Sequence, residues 1–243
     1  MRSARCRVVV SSANEVRPDN TMTSEYGRET DAIRYALLHR LAPGIRHGLM
    51  GELQAIQFMA ELAARQRDER GDSSRDMDGL LQMVAQTRTT VAHCRSLIEW
   101  LRPDVGATTA LGEGIAQCLK VVGDDWPLRG VEATTELGAA DTLIDKAALR
   151  EMLAASLMAL IDMNPGTLDI NIQSDADTDE VELKLRARAA NRRATIRSGT
   201  DERKFTWADV QLLAKAHGVS CSCQASSATI RLRRAAPPPE GHM

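Results

Sequence analysis

The sequence predicts an α+β chain: a long antiparallel helical hairpin, paired with a second copy into a four-helix bundle, followed by an α/β sandwich. Three observations carry this. Apolar residues recur at helical spacing through two long stretches before Pro103. A short polar segment separates those stretches, and after Pro103 strand-like and helical runs alternate. Composition agrees, since aromatics make up only 3% of the 243 residues.

The first helix is expected from about Glu29 to Arg67, with Ile33, Leu37, Leu38, Leu41, Ile45, Leu49, Leu53, Ile56, Met59 and Leu62 in one stripe. Pro43-Gly44 interrupts it, which predicts a kink. The polar run from Asp68 to Ser74 ends it. A second helix carries Leu80, Leu81, Val84, Val91, Cys94, Leu97, Ile98 and Leu101 and stops at Pro103. A lone hairpin cannot bury both stripes, so a second copy is the expected partner; the alternative is packing on the chain's own C-terminal half.

Beyond a boundary at Pro103–Ala110, a helix is expected over Leu111–Val122 and a strand over Val131–Leu137. A helix over Lys146–Asp162 follows, then strands over Leu168–Ile172, Val181–Leu185 and Ala194–Ile196. A helix from Thr206 to His217 is closed by Gly218, and strands near Val219–Cys223 and Ala228–Leu232 end the fold. The division is therefore 1–25 unstructured, 26–105 hairpin, 106–234 sandwich and 235–243 a loose tail. Met22 is a second candidate start. Trp100, Trp126 and Trp207 are expected as core or interdomain anchors.

Charge is nearly balanced, 31 Lys+Arg against 33 Asp+Glu, which argues against nucleic acid and membrane partners. No run reaches transmembrane length, and a soluble cytoplasmic protein is expected. The five cysteines, Cys6, Cys94, Cys118, Cys221 and Cys223, suit a reducing compartment. Cys221 and Cys223 lack a second ligand pair at zinc spacing. They are expected on opposite faces of a strand, as packing and not as a metal site.

One window stands out: Arg46-His47-Gly48-Leu49-Met50-Gly51-Glu52-Leu53-Gln54. It sets an imidazole off the apolar stripe and between two glycines. Each glycine weakens a helix by about 0.5–1 kcal/mol relative to Ala, so their presence calls for a reason. His47 is therefore the candidate nucleophile. Arg40, Arg46, Gly48, Met50, Gly51 and Gln54 are the candidate partner-binding surface, with Arg34 a further nearby cation. His39 competes with His47 but has a proline too close behind it; His93 and His217 read as structural.

This order of parts resembles bacterial sensor histidine kinases over about Glu29 to Arg234. Their acceptor box reads H-E-L-R-T-P-L-x-A-I, and His47, Leu49, Leu53, Ala55 and Ile56 match it without gaps. Gly48 replaces its acidic residue and Gly51 its Thr or Asn. The remaining His47-x-Leu49-x-Gly51 resembles the core of histidine phosphotransfer domains, with Met50 where those carry Lys. Downstream, Ala155 and Ala159 fall on the family's Mg²⁺-binding Asn positions and Asp162 on its Lys. Arg186-Ala187-Arg188-Ala189-Ala190-Asn191 replaces the Asp-x-Gly-x-Gly loop, and Lys204 and Thr206 replace later glycines.

The resemblance thus implies a dimeric histidine phosphotransferase with a degenerate ATPase-like sandwich. It implies receiver domains of response regulators as partners, no cofactor held by this chain, and Mg²⁺ supplied by the receiver. Two alternatives stay open: a non-catalytic adaptor that sequesters a receiver or kinase, and a kinase with an unorthodox ATP site.

Overall fold

The computed structural model describes residues 20–70, 73–102, 106–123, 126–138, 140–176, 179–191 and 203–235. The expected strand Ala194–Ile196, the residues before Asn20 and those after Ala235 lie outside them. Helix α1 (Asn20–Arg70) and helix α2 (Ser73–Leu101) form the hairpin. Strand β1 (Thr108–Ala110) leads into α3 (Leu111–Val122) and the short α4 (Trp126–Arg129). Then come β2 (Val131–Leu137), β3 (Leu143–Asp145), α5 (Lys146–Met163), β4 (Leu168–Ala176) and β5 (Glu180–Ala189). Helix α6 (Trp207–His217), β6 (Ser220–Gln224) and β7 (Ser227–Arg233) close the fold. The short β1, α4 and β3 were not foreseen; pieces of three or four residues carry no periodic signal.

The main sheet runs β2-β4-β5-β7-β6, with β2 parallel to β4 and the other pairs antiparallel. Alternation explains its two faces. Val181, Leu183, Leu185, Ile230 and Leu232 are buried, whereas Asp169, Arg186, Arg188, Arg231 and Arg233 are exposed. The chain is thus α+β, one mixed sheet with helices on one side.

Helix α5 is buried along its length from Ala148 to Leu160. It is capped at its start by Asp145, whose Oδ1 accepts from the Ala148 amide at 2.7 Å. At Gly114 of α3, an added Cβ would meet Leu149 Cδ2 at 2.4 Å, so glycine is what lets α3 approach α5. Gly218 ends α6 at φ +61°, a left-handed C-cap that favours glycine.

Three features of the hairpin depart from expectation. First, α1 begins at Asn20, so residues 20–25 are helical where no structure was expected. Propagating an anchored helix gains one hydrogen bond per residue, and no Pro or Gly lies between Asn20 and Tyr26 to stop it. Second, α1 continues through Pro43 without interruption. Proline still withholds an amide from the helix. The packing of Leu37 and Leu41 below it, and of half-buried Ile45 and Leu49 above it, holds the helix together.

Third, the apolar residues of the hairpin divide between two faces. Ile33, Leu37, Leu41, Leu97 and Trp100 belong to the same core as the sandwich helices, so the base of the hairpin packs on the chain's own C-terminal half. Met77, Leu80, Leu81, Val84, Val91, Ile98 and Leu101 remain exposed on α2. Leu97 and Ile98 are neighbours in sequence, about 100° apart around a helix, and end up on these two different faces. Trp126 is buried and Trp207 half-buried, both in the sandwich core.

The two cysteines of β6 need a correction. Residues two apart on a strand share a face, and the Cys221 and Cys223 thiols are hydrogen-bonded to each other. Burial, then the neighbouring Cys221, pushes the Cys223 thiol up to about 12. Both side chains pack against the core. No helix among the described residues is long and apolar enough to cross a membrane.

Candidate functional site

His47 is exposed on α1, on the side away from the core. Among the described residues it has no hydrogen-bond partner, so its imidazole is open to a visiting group. Met50, Gly51 and Gln54 follow at three-, four- and seven-residue intervals and are exposed on the same face. Arg46 is exposed beside it. At Gly51 an added Cβ would find nothing within 4 Å. The chain's own packing therefore gives no reason for glycine there.

Two of the proposed surface residues sit elsewhere. Gly48 is half-buried, on the side of the helix that carries Glu52 and faces α2. Arg40 is not a surface cation at all. Its side chain is 5% exposed, and its Nη2 donates to Asp162 Oδ1 at 2.7 Å on α5. Arg40 lies in phase with Ile33 and Leu37, so it enters the core, and a buried guanidinium must have a carboxylate partner. Asp162 is equally buried, at 4%, and its Oδ2 accepts from the Phe205 amide at 2.8 Å.

The other histidines take distinct roles. His39 is exposed in a groove of about 340 Å³ lined by Tyr35, Ala36, Arg40 and Arg203, its ring 6.2 Å from that of Tyr35. His93 is buried between the hairpin helices, its Nδ1 2.8 Å from Glu52 Oε1, while His93 Nε2 and Glu52 Oε2 lack partners. His217 Nε2 lies 2.8 Å from Glu151 Oε2, which also accepts from Arg34 Nε at 2.9 Å. Arg34 is thereby tied to α5, and also to Asp31.

Burial pushes the Glu151 carboxyl up, but hydrogen bonds and charge from His217 and Arg34 outweigh it and leave its pKa below the usual carboxylate value. A carboxyl depressed in the folded state binds fewer protons than in the unfolded one. Its contribution is complete above the usual glutamate pKa and is lost as pH falls through the lower folded value. Chemical denaturation between about pH 5 and pH 3 is therefore expected to show a steeper fall in stability for the wild type than for Glu151→Gln. Equal slopes would mean that the cluster does not form.

Three of the positions matched to nucleotide-binding residues, those on α5, are closed, whereas Arg186, Arg188, Lys204 and Thr206 are exposed. Ala155 and Ala159 are fully buried inside α5, and Asp162 is taken by Arg40 and Phe205. Among the described residues, no group of three or more His, Cys, Asp or Glu is placed to hold a metal ion.

Sequence reasoning missed Asp162, Glu151 and Glu52 as partners of Arg40, Arg34 with His217, and His93. A signal was present: Arg40 and His93 each occupy an apolar phase, Arg40 with Ile33 and Leu37, His93 with Leu97 and Trp100. A polar residue at a core position announces a buried partner, though not which one.

No protein-family model matches the sequence, and neither does any curated protein. Solved structures similar to this chain include a histidine kinase, AdeS, of Acinetobacter baumannii, at 13% identity. That alignment covers 78% of this chain and 97% of the other, with a TM-score of 0.38. A histidine kinase of Burkholderia phymatum aligns at 12% identity over 86% of this chain and 97% of its own, TM-score 0.38. A bacterial phosphotransferase aligns at 16% identity over 81% and 95%, TM-score 0.39.

Proposed function

We propose that this chain is a two-component signalling protein that relays phosphoryl groups between receiver aspartates through His47, without ATP. The observation that carries this reading is the open face of α1: an unpartnered, exposed His47 beside Gly51, a glycine that nothing in the chain requires. His47 Nε2 attacks the phosphorus of a receiver's aspartyl phosphate. The N–P bond forms, the P–O bond to the aspartate breaks, and the carboxylate leaves. A second receiver's carboxylate reverses the step. The receiver brings Mg²⁺ and the acidic pocket; this chain supplies a positioned imidazole.

Two further features support the reading. Ala155 and Ala159 offer no oxygen to a magnesium ion and no access to one. The apolar face of α2 provides for a homodimeric four-helix bundle, which would place two His47 faces outward.

The test mixes purified protein with separately phosphorylated, radiolabelled receivers, beside a control with labelled Mg·ATP. Label should reach the wild type from a receiver alone and vanish in His47→Ala. Label from ATP alone would overturn the ATP-free part of the reading. Receiver binding that transfers no label and is indifferent to His47→Ala would make the protein an adaptor.

Gly51 provides a finer cut. Gly51→Arg should leave stability unchanged or raise it by up to about 1 kcal/mol, because it relieves a helix-interior glycine. It should slow transfer at least about tenfold by obstructing the approaching receiver. Thermal melts and transfer rates on the same preparation check both halves.

A further inference from the structure

Arg40 and Asp162 do more than satisfy each other. Three segments meet at the Asp162 carboxylate: α1 through Arg40, α5 through Asp162 itself, and the lead into α6 through the Phe205 amide. Phe205 is 1% exposed, so its side chain anchors the third segment in the core. A second tie lies below it, where Glu151 of α5 holds Arg34 of α1 and His217 of α6. Thr30, Ile33, Leu37, Arg40 and Leu41 are all buried, whereas no described residue of α1 beyond Leu41 is. Full burial therefore ends at Leu41, with Ile45 and Leu49 beyond it only half-buried against the core, and two residues after Leu41 Pro43 withholds the amide that would bond to the His39 carbonyl. Gly44 adjoins a void of only about 10 Å³ bounded by Arg40, Leu41, Trp126 and Met158, so the contact beneath the proline is closed. His47 lies seven residues beyond Arg40, roughly 10 Å along the helix.

We propose that the Arg40–Asp162 pair is a latch that fixes the sandwich to the base of α1 and sets the tilt of the upper hairpin, which pivots at Pro43–Gly44. The pair is a positioning device: it touches no reacting group and determines where the His47 face stands relative to the sandwich. Its bearing on phosphoryl transfer rests on the function proposed above; the latch itself does not.

Distances between two spin labels test it without any receiver. The labels are placed on the exposed positions Gln57 of α1 and Ser222 of β6 through a ketone-bearing unnatural residue, leaving the native cysteines alone. Labelled chains are diluted into excess unlabelled protein so that each assembly carries one labelled copy. The wild type should give one narrow distance distribution. Asp162→Asn keeps the side-chain size and can still accept from Phe205 but loses the charge; it should broaden the distribution at least twofold. The exchange Arg40→Asp with Asp162→Arg should narrow it again. A distribution unchanged in Asp162→Asn, or one that the exchange leaves broad, would overturn the latch. Transfer assays on the same proteins fail or succeed independently, so loss of the phosphotransfer reading leaves this result standing.

Discussion

Asp162→Ala is expected to destabilise the folded chain by about 3–5 kcal/mol, the usual cost of removing one member of a buried ion pair. The magnitude follows from what is left behind. Arg40 would keep a guanidinium inside a core where its side chain is 5% exposed, and the Phe205 amide would lose its acceptor. For a unit of roughly 200 residues this lowers Tm by about 6–20 °C. The pair itself need not be stabilising relative to an apolar substitute. Arg40→Met with Asp162→Leu removes both charges together, and its cost should be far smaller, within about 1–2 kcal/mol of the wild type. Denaturant titrations of the single and double variants distinguish the cases. A loss below about 1 kcal/mol for Asp162→Ala would place the pair at the surface, where such bridges contribute little.

The second large effect concerns α2. Met77, Val84, Val91 and Ile98 repeat every seven residues, and Leu80 and Leu101 lie in the intervening phase. The named residues of this heptad seam are exposed, Val91 at 45% and Ile98 at 67%, as expected for the dimer contact proposed above. Complete burial of such a side chain contributes about 1.5–3 kcal/mol, and symmetry counts each position twice. Val91→Glu with Ile98→Glu should therefore convert a dimer into a species of 26.6 kDa by sedimentation equilibrium. The helical signal should hold, because neither side chain belongs to the chain's own core. A wild type that already sediments as a monomer at micromolar concentration would assign this face to a different partner.

The sequence disclosed the long elements and their order. Leu111, Ile115, Cys118 and Val122 mark α3 by period alone, and Gly218 marks the end of α6 by its left-handed φ. It could not disclose which face of a helix meets which neighbour. Leu97 and Ile98 look alike in a periodic reading, yet one faces the core and the other solvent. His47, Met50, Gly51 and Gln54 were legible because an exposed face is a local property of one helix. Arg40 was misjudged because its meaning depends on Asp162, more than a hundred residues away. Pair interactions of that range leave a trace in a single sequence only as an oddity, here a charge in an apolar stripe.

The shared core at the base of α1 also bears on how the chain is made. Ile33, Leu37 and Leu41 leave the ribosome early, but α5 and α6, which cover them, are synthesised more than a hundred residues later. At ordinary elongation rates that is a wait of roughly ten seconds or more. During it the nascent hairpin carries two uncovered apolar surfaces, one destined for its own sandwich and one on α2. Premature pairing of two hairpins through the wrong surface would block the sandwich from closing. Arg40 and Arg34, charged while they wait for Asp162 and Glu151, keep the first surface from being uniformly greasy and bias it toward the carboxylates that arrive last.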